Sequence, residues 1–236
     1  MHHPHTHTSV AIITARGGSK RIPRKNIKEF CGKPILLYSI EAALSSGSFN
    51  EVMVSTDDDE IAVLAKQAGA CVPFRRSASA ADDYATTDEV IAEVLAMYET
   101  QGLRFDRFCC IYPTAPFLTA ERLREAMALL DTHESVMPVV AYSYPPQRSV
   151  VIRDGRLVRR FPEYLNARSQ DLERFYHDCG QFYACRTDAF LRAQTTDVDD
   201  LVPLILSEAE VQDIDTMEDW ELAQEKYRRL TERQNP

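Results

Sequence analysis

No apolar run in this 236-residue sequence approaches the roughly 20 residues that cross a bilayer as a helix, and no secretory signal precedes the first apolar strand. The expectation is a cytoplasmic protein with no membrane partner. The six cysteines form no Cys-x-x-Cys pair, which removes the usual spacing of structural zinc and leaves disulfides unexpected. Cys109 and Cys110 sit in the run Phe108 to Ile111 and read as small core residues of a strand. A formal net charge of −9 argues against nucleic acid as the main partner. Neither an internal repeat nor a low-complexity tract follows the His-rich start. Residues 1–8 are set aside as a disordered or tag-like leader, and residues 9–236 are expected to form one domain.

The charge is unevenly spread. Between Arg16 and Lys33 stand seven basic residues and one glutamate, so this island carries +6 and the rest of the chain −15. An isolated basic island on an acidic protein suits a small, highly charged anion. Its core, Ala15-Arg-Gly-Gly-Ser-Lys-Arg-Ile-Pro-Arg-Lys-Asn26, directly follows the apolar run Val10 to Ile13. Two adjacent glycines would let backbone N–H groups approach phosphate oxygens, and the lysines and arginines supply charge. The run lacks the third glycine of the dinucleotide fingerprint and the Gly-Lys-Ser/Thr ending of the P-loop, which disfavours dehydrogenases, kinases and ATPases.

Apolar β-rich runs alternate with helix-period segments. Strands are expected at Val10–Thr14, Val52–Thr56, Cys71–Phe74, Phe108–Tyr112 and Val136–Ala141, and helices near Ile35–Ser45, Glu60–Ala68, Thr87–Glu99 and Ala120–Leu130. Pro34 suits the first turn of the first helix, and Gly47 and Gly69 suit helix exits. The alternation predicts an α/β fold with a mainly parallel, doubly wound, Rossmann-like sheet. The rhythm breaks after Tyr142: Val150–Val158 reads as a hairpin turning at Asp154-Gly155, and residues 142–176 form an interruption long enough for a flap or an oligomerisation arm. Strand character returns at Gly180–Cys185, and Val211–Asp215 leads into an amphipathic helix from about Met217 to Leu230.

Asp213-Ile214-Asp215 places two carboxylates on one side of an extended segment, a donor pair suited to Mg²⁺ shared with substrate phosphates. Asp215 and Glu218 also have capping-box spacing, as do Thr216 and Asp219, so metal ligation and helix capping both remain open for Asp215. The acidic run Asp57 to Glu60 complements the dipole of the helix it opens. Arg75-Arg76 and the stretch Asp82 to Thr87 carry groups able to read a base or a ribose. His177-Asp178 invites a base-and-orienter reading, but with no nucleophile beside it His177 is a substrate contact or a structural residue.

Together these residues resemble the bacterial acylneuraminate cytidylyltransferases, which make CMP-activated nonulosonic acids. The resemblance runs from Val10 to about Leu230 and is carried by the Ala15–Asn26 run, Ser55-Thr-Asp-Asp-Asp-Glu-Ile61, Tyr112-Pro-Thr-Ala-Pro116 and Asp213-Ile-Asp215. Tyr112, where sialic-acid members have Gln, and Gly180-Gln-Phe-Tyr183 look like the pseudaminic acid branch; Ala115, Cys179 and Ser77 depart from family habit. The resemblance implies transfer of CMP from CTP to the anomeric hydroxyl of a nonulosonic acid, with pseudaminic acid ahead of sialic or legionaminic acid. It implies that Ala15, Arg16, Gly17, Ser19, Lys25, Asn26, Arg76, Asp83 and Thr87 hold CTP. Tyr112, Thr114, Gln181 and Tyr183 would lie beside the sugar, Asp213 and Asp215 would hold Mg²⁺, and Arg16 and Lys25 would join that pair in catalysis. Residues 142–176 would be the arm of a homodimer. A nucleotide-sugar-dependent glycosyltransferase and a non-catalytic nucleotide-binding module are the rival readings; neither needs a triphosphate cradle together with pyrophosphate release.

Overall fold

The computed structural model describes residues 7–82 and 84–234, so the first six residues of the leader and Asp83 lie outside it. Strand β1 (Ser9–Thr14) is buried on both faces, which is why it reads as an unbroken apolar run. A basic loop follows, then a short hairpin, β2 (Glu29–Phe30) and β3 (Lys33–Pro34), before helix α1 (Leu36–Ser46). Next come β4 (Glu51–Ser55), α2 (Asp59–Gln67), α3 (Thr87–Thr100), β5 (Arg107–Ile111), α4 (Ala120–Leu129) and β6 (Ser135–Ala141). The interruption holds β7 (Val150–Arg153), β8 (Arg156–Arg159) and, at its end, β9 (Tyr176–Asp178). The chain closes through β10 (Phe182–Arg186), α5 (Thr187–Ala193), β11 (Leu201–Leu206) and α6 (Met217–Gln234).

The central sheet runs β11-β6-β10-β5-β1-β4, with β9 paired to β6. β1, β4, β5, β6 and β11 run one way, and β9 and β10 oppose them, so the sheet is mainly parallel as expected. Alternate residues of β1 serve two cores. Ala11 and Ile13 pack with α1, α2 and α4, while Val10 and Ile12 pack with α3 and α5. A third cluster joins α6 to the β2–β3 hairpin, where Phe30 meets Tyr38, Trp220 and Tyr227 edge-on. No helix among the described residues is long and apolar enough to cross a membrane.

Two local expectations are corrected, and two elements appear that the sequence pattern did not mark. The strand at Cys71–Phe74 shrinks to one bridge between Cys71 and Met53, because Pro73 has no N–H to continue the ladder. Pro34 stands in β3, and α1 begins two residues later. β11 is missed by the sequence pattern because Pro203 interrupts it; as an edge strand it tolerates that proline. α5 also goes unpredicted, being only seven residues long. The hairpin turns at Asp154-Gly155 as expected, both at positive φ, 50° and 72°.

Candidate functional site

The carboxyl ends of β1, β4 and β5 and the amino end of β10 open on one cleft, the side of an α/β sheet where ligands bind. Three adjoining cavities fill it. The middle one, about 540 Å³, is lined by Thr14, Arg16, Ser19, Lys20, Arg21, Lys25, Asn26 and Tyr112-Pro113-Thr114. At one end, about 170 Å³ is enclosed by Arg16, Arg76, Asp82, Thr86 and Thr87. At the other, about 540 Å³ lies among Tyr112, Val140, His177 to Gly180, Tyr183, Glu208, Asp213 and Lys226. Arg16 and Thr14 belong to the middle and small cavities, and Tyr112 to the middle and far ones, so the three adjoin in a row.

The basic loop is braced from β4 and α2. The Gly17 N–H donates to Asp57 Oδ1 at 2.8 Å, so the amide expected to meet an anion is already engaged by a carboxylate. A Cβ on Gly17 would lie 2.8 Å from Asp58 Oδ2, which explains the glycine by close approach rather than by backbone conformation. Asp58 caps α2, accepting from the Glu60 and Ile61 N–H groups at 3.0 Å. Its second oxygen holds Arg24, and that guanidinium pushes the Asp58 pKa down to about 2. Arg24 itself sits at φ 55°, a left-handed conformation for a non-glycine residue, and the clamp from Asp58 and Glu60 holds it there. The turn at Arg24 sends Lys25 inward.

Lys25 Nζ donates to Ile214 O at 2.6 Å and lies 3.8 Å from Asp215 Oδ1; its side chain is only 18% exposed. Burial lowers the Lys25 pKa, against the raising influence of Asp215 and Asp213. Burial and the neighbouring Asp215 raise that of Asp213. Arg21 pairs with Asp215 at 2.7 Å. Thr216 and Asp219 cap α6 reciprocally: the Asp219 N–H donates to Thr216 Oγ1 at 3.2 Å and the Thr216 N–H to Asp219 Oδ2 at 2.8 Å. Of the two capping alternatives, the structure selects Thr216 and leaves the Asp215 carboxylate to the cations.

The remaining expected site residues fall as follows. Asn26 is buried and donates to Arg16 O at 2.8 Å, while Arg16 reaches Asp82 O at 2.9 Å. Ala15, fully buried, donates its N–H to Ser55 O. Arg76 is buried on Ser55, donating to its Oγ at 3.0 Å and its carbonyl at 2.8 Å. Thr87 and Tyr112 share a hydroxyl contact of 3.1 Å. Gln181 Nε2 donates to Glu210 O at 2.6 Å, and Glu210 is held by Arg122 at 2.8 Å. Ser19 and Thr114 line the middle cavity, and Tyr183 the far one.

The His177–Asp178 pairing is not a base and orienter. His177 Nδ1 meets the Asp178 carbonyl at 2.8 Å, whereas the Asp178 carboxylate turns to Gly180 and Tyr183. The contacts of Asp178 and of Lys226 escaped sequence reading. Lys226 donates to the Glu208 and Val211 carbonyls at the far cavity, fixing the segment that leads to Asp213.

Comparison with known proteins adds to this geometry. The family model described as Cytidylyltransferase matches residues 10–227. The pseudaminic acid cytidylyltransferase of Campylobacter jejuni is 40% identical over 223 residues, covering 93% of this chain and 96% of that protein. The CMP-N,N'-diacetyllegionaminic acid synthase of Legionella pneumophila is 34% identical over 225 residues, covering 91% and 94%. Among solved structures, a CMP:2-keto-3-deoxy-manno-octonic acid synthetase complexed with CTP aligns with TM-score 0.69 over 94% of this chain and 99% of that one; at 18% identity it speaks for the fold.

Proposed function

Since this chain belongs to the cytidylyltransferase family, we propose that it transfers CMP from CTP to the anomeric hydroxyl of a nonulosonic acid, pseudaminic acid above the others, and releases pyrophosphate. The observation that carries the reading is the row of three adjoining cavities. A small pocket of ribose- and base-sized groups, a basic middle cavity and a mixed polar and aromatic cavity stand in the order nucleoside, triphosphate, sugar. Such a transfer is in-line displacement at the α-phosphate and depends on positioning and charge neutralisation, not on a covalent nucleophile.

In this reading Thr87 and Arg76 frame the cytidine end, with Asn26 in the adjoining middle cavity and Ala15 fully buried; Asp83 belongs with them by sequence and lies outside the described residues. Arg16, Ser19 and Lys25 face the triphosphate, and Lys25 and Arg16 stabilise charge on the departing pyrophosphate; Gly17, expected beside them, has its amide engaged by Asp57 and lines no part of the middle cavity. Tyr112 and Tyr183 orient the sugar acid from the far cavity and Thr114 from the middle one, whereas Gln181, buried and bonded to Glu210 O, lines neither. Asp213 and Asp215 would hold Mg²⁺, and their donor chemistry fits. The Asp213 pKa is raised by burial and by its neighbour, a repulsion that a divalent cation relieves. The Arg21–Asp215 pair is exposed on both sides, 66% and 39%, and gives way at little cost. Bound there, Mg²⁺ would supply Lewis-acid polarisation of the phosphate.

The reading extends to a cytoplasmic homodimer built through residues 142–176. β7 and β8 leave Val150, Ile152, Leu157 and Val158 exposed, and Tyr144 and Leu165 of the same segment are exposed as well. That apolar surface, interleaved with arginines, suits a second copy of the chain. The test is product identification: CTP and Mg²⁺ with pseudaminic, legionaminic or sialic acid should give a CMP-sugar by mass spectrometry. No CMP-sugar from any of them would overturn the proposal.

A further inference from the structure

Asp178 is the acceptor at both ends of a small fixed network. Its Oδ1 accepts from the Gly180 N–H at 2.8 Å, and its Oδ2 accepts from the Tyr183 hydroxyl. The Gly180 N–H reaches back two residues in an Asx turn, and Gly180 itself stands at φ 60°. In the second bond Tyr183 donates and Asp178 accepts. The phenol is further stiffened by Tyr112, whose ring stands edge-on at 5.8 Å and whose hydroxyl meets those of both Thr87 and Tyr183. Tyr183 and Asp178 both line the far cavity of the cleft.

We infer that Asp178 is a positioning residue that sets the hydrogen-bond polarity of the sugar pocket. With its only proton committed to Asp178, Tyr183 presents lone pairs and no donor to the cavity, and therefore reads a donor of the sugar acid, an amide N–H or a hydroxyl. Acceptor groups such as a carbonyl or carboxylate oxygen find no donor at that point, and a hydrogen bond left unmade there discriminates against them. This inference rests on the proposed sugar-binding role of the cavity.

The geometry supplies an isosteric test. In Asp178→Asn the single carbonyl oxygen stays on the Gly180 N–H, and the amide nitrogen takes the place of Oδ2. It must donate to the Tyr183 oxygen, which turns the Tyr183 proton toward the cavity and reverses the polarity without changing the shape. Wild type, Asp178→Asn, Tyr183→Phe and the double variant are assayed for KM of pseudaminic acid and of CTP. Both single variants should raise the sugar-acid KM at least about tenfold with the CTP KM within about threefold. The double variant should be no worse than Tyr183→Phe alone, because Asp178 acts through Tyr183. An unchanged sugar-acid KM in Asp178→Asn overturns the inference, as does additive loss in the double variant or a parallel loss of CTP affinity. Wild-type protein that turns over no nonulosonic acid overturns both this inference and the proposed function; wild-type turnover with an indifferent Asp178→Asn overturns this inference alone.

Discussion

Replacing Lys25 by Met removes one charge and keeps most of the buried stem, and the structure bounds the result. At 3.8 Å from Asp215 the ammonium gains about 4 kcal/mol of gross Coulomb energy at an effective dielectric of 20. Desolvation of a side chain only 18% exposed outweighs that gain, as the lowered pKa records. What remains for stability is mainly the charged hydrogen bond to Ile214 O, about 1.5–3 kcal/mol. For a chain of this size that is a fall in Tm of roughly 3–12 °C. A positioned charge lost at a transition state costs about 2.7–4 kcal/mol, or about 10²–10³ in kcat. Lys25→Met should therefore fold, with CTP turnover down by at least a hundredfold. The pH profile gives a second reading. Burial makes Lys25 lose its proton below the usual lysine range, so wild-type kcat/KM should decline on the alkaline side before that range is reached. For stability the sign is the reverse: the cost of burying the charge is present at neutral pH and relaxes as pH rises through the lowered pKa. Pyrophosphate release measured across pH, beside a thermal melt, checks both. A folded Lys25→Met protein within threefold of wild-type turnover would refute the assignment.

Asp215→Asn leaves the Thr216–Asp219 cap of α6 intact, so Mg²⁺-dependent turnover should fall at least tenfold with Tm within about 3 °C; a large Tm loss with retained activity would return Asp215 to a structural role. The Arg24–Asp58 clamp should contribute to stability above the ordinary carboxylate pKa and fade as pH falls through about 2, so the Tm difference between wild type and Asp58→Asn should shrink in acid. A difference that grows in acid would contradict it. Ile152→Lys with Leu157→Lys should shift sedimentation from dimer to monomer, and an unchanged dimer would place the interface elsewhere.

Much of the fold is legible because its signals are local. β1 and β5 read as buried strands from unbroken apolar runs, and the hairpin from Asp154-Gly155. What stayed hidden depends on position in the sheet or on distant contacts. Pro203 argues against a strand until β11 is known to be an edge, and Pro73 argues for an end that the run Cys71–Phe74 conceals. At the candidate site, the basic island and the two aspartates were visible by composition and spacing, and Lys25 and Asp215 are brought within 3.8 Å although 190 positions apart. The engagement of the Gly17 amide by Asp57 was not visible, because it joins the loop after β1 to the end of β4. Nor was the turn of Asp178 away from His177, which follows from adjacent residues of β9 facing opposite ways.

The measurement that bears most directly on the central claim is pyrophosphate release from CTP and Mg²⁺ by the purified protein, alone and with pseudaminic or sialic acid. Pyrophosphate should appear only with a sugar acid, one per CMP-sugar formed. The kcat/KM for pseudaminic acid should exceed that for sialic acid at least about a hundredfold, on the order of 2.7 kcal/mol. Equal or reversed efficiencies would contradict the pseudaminic assignment, and no release with any nonulosonic acid would contradict CMP transfer itself.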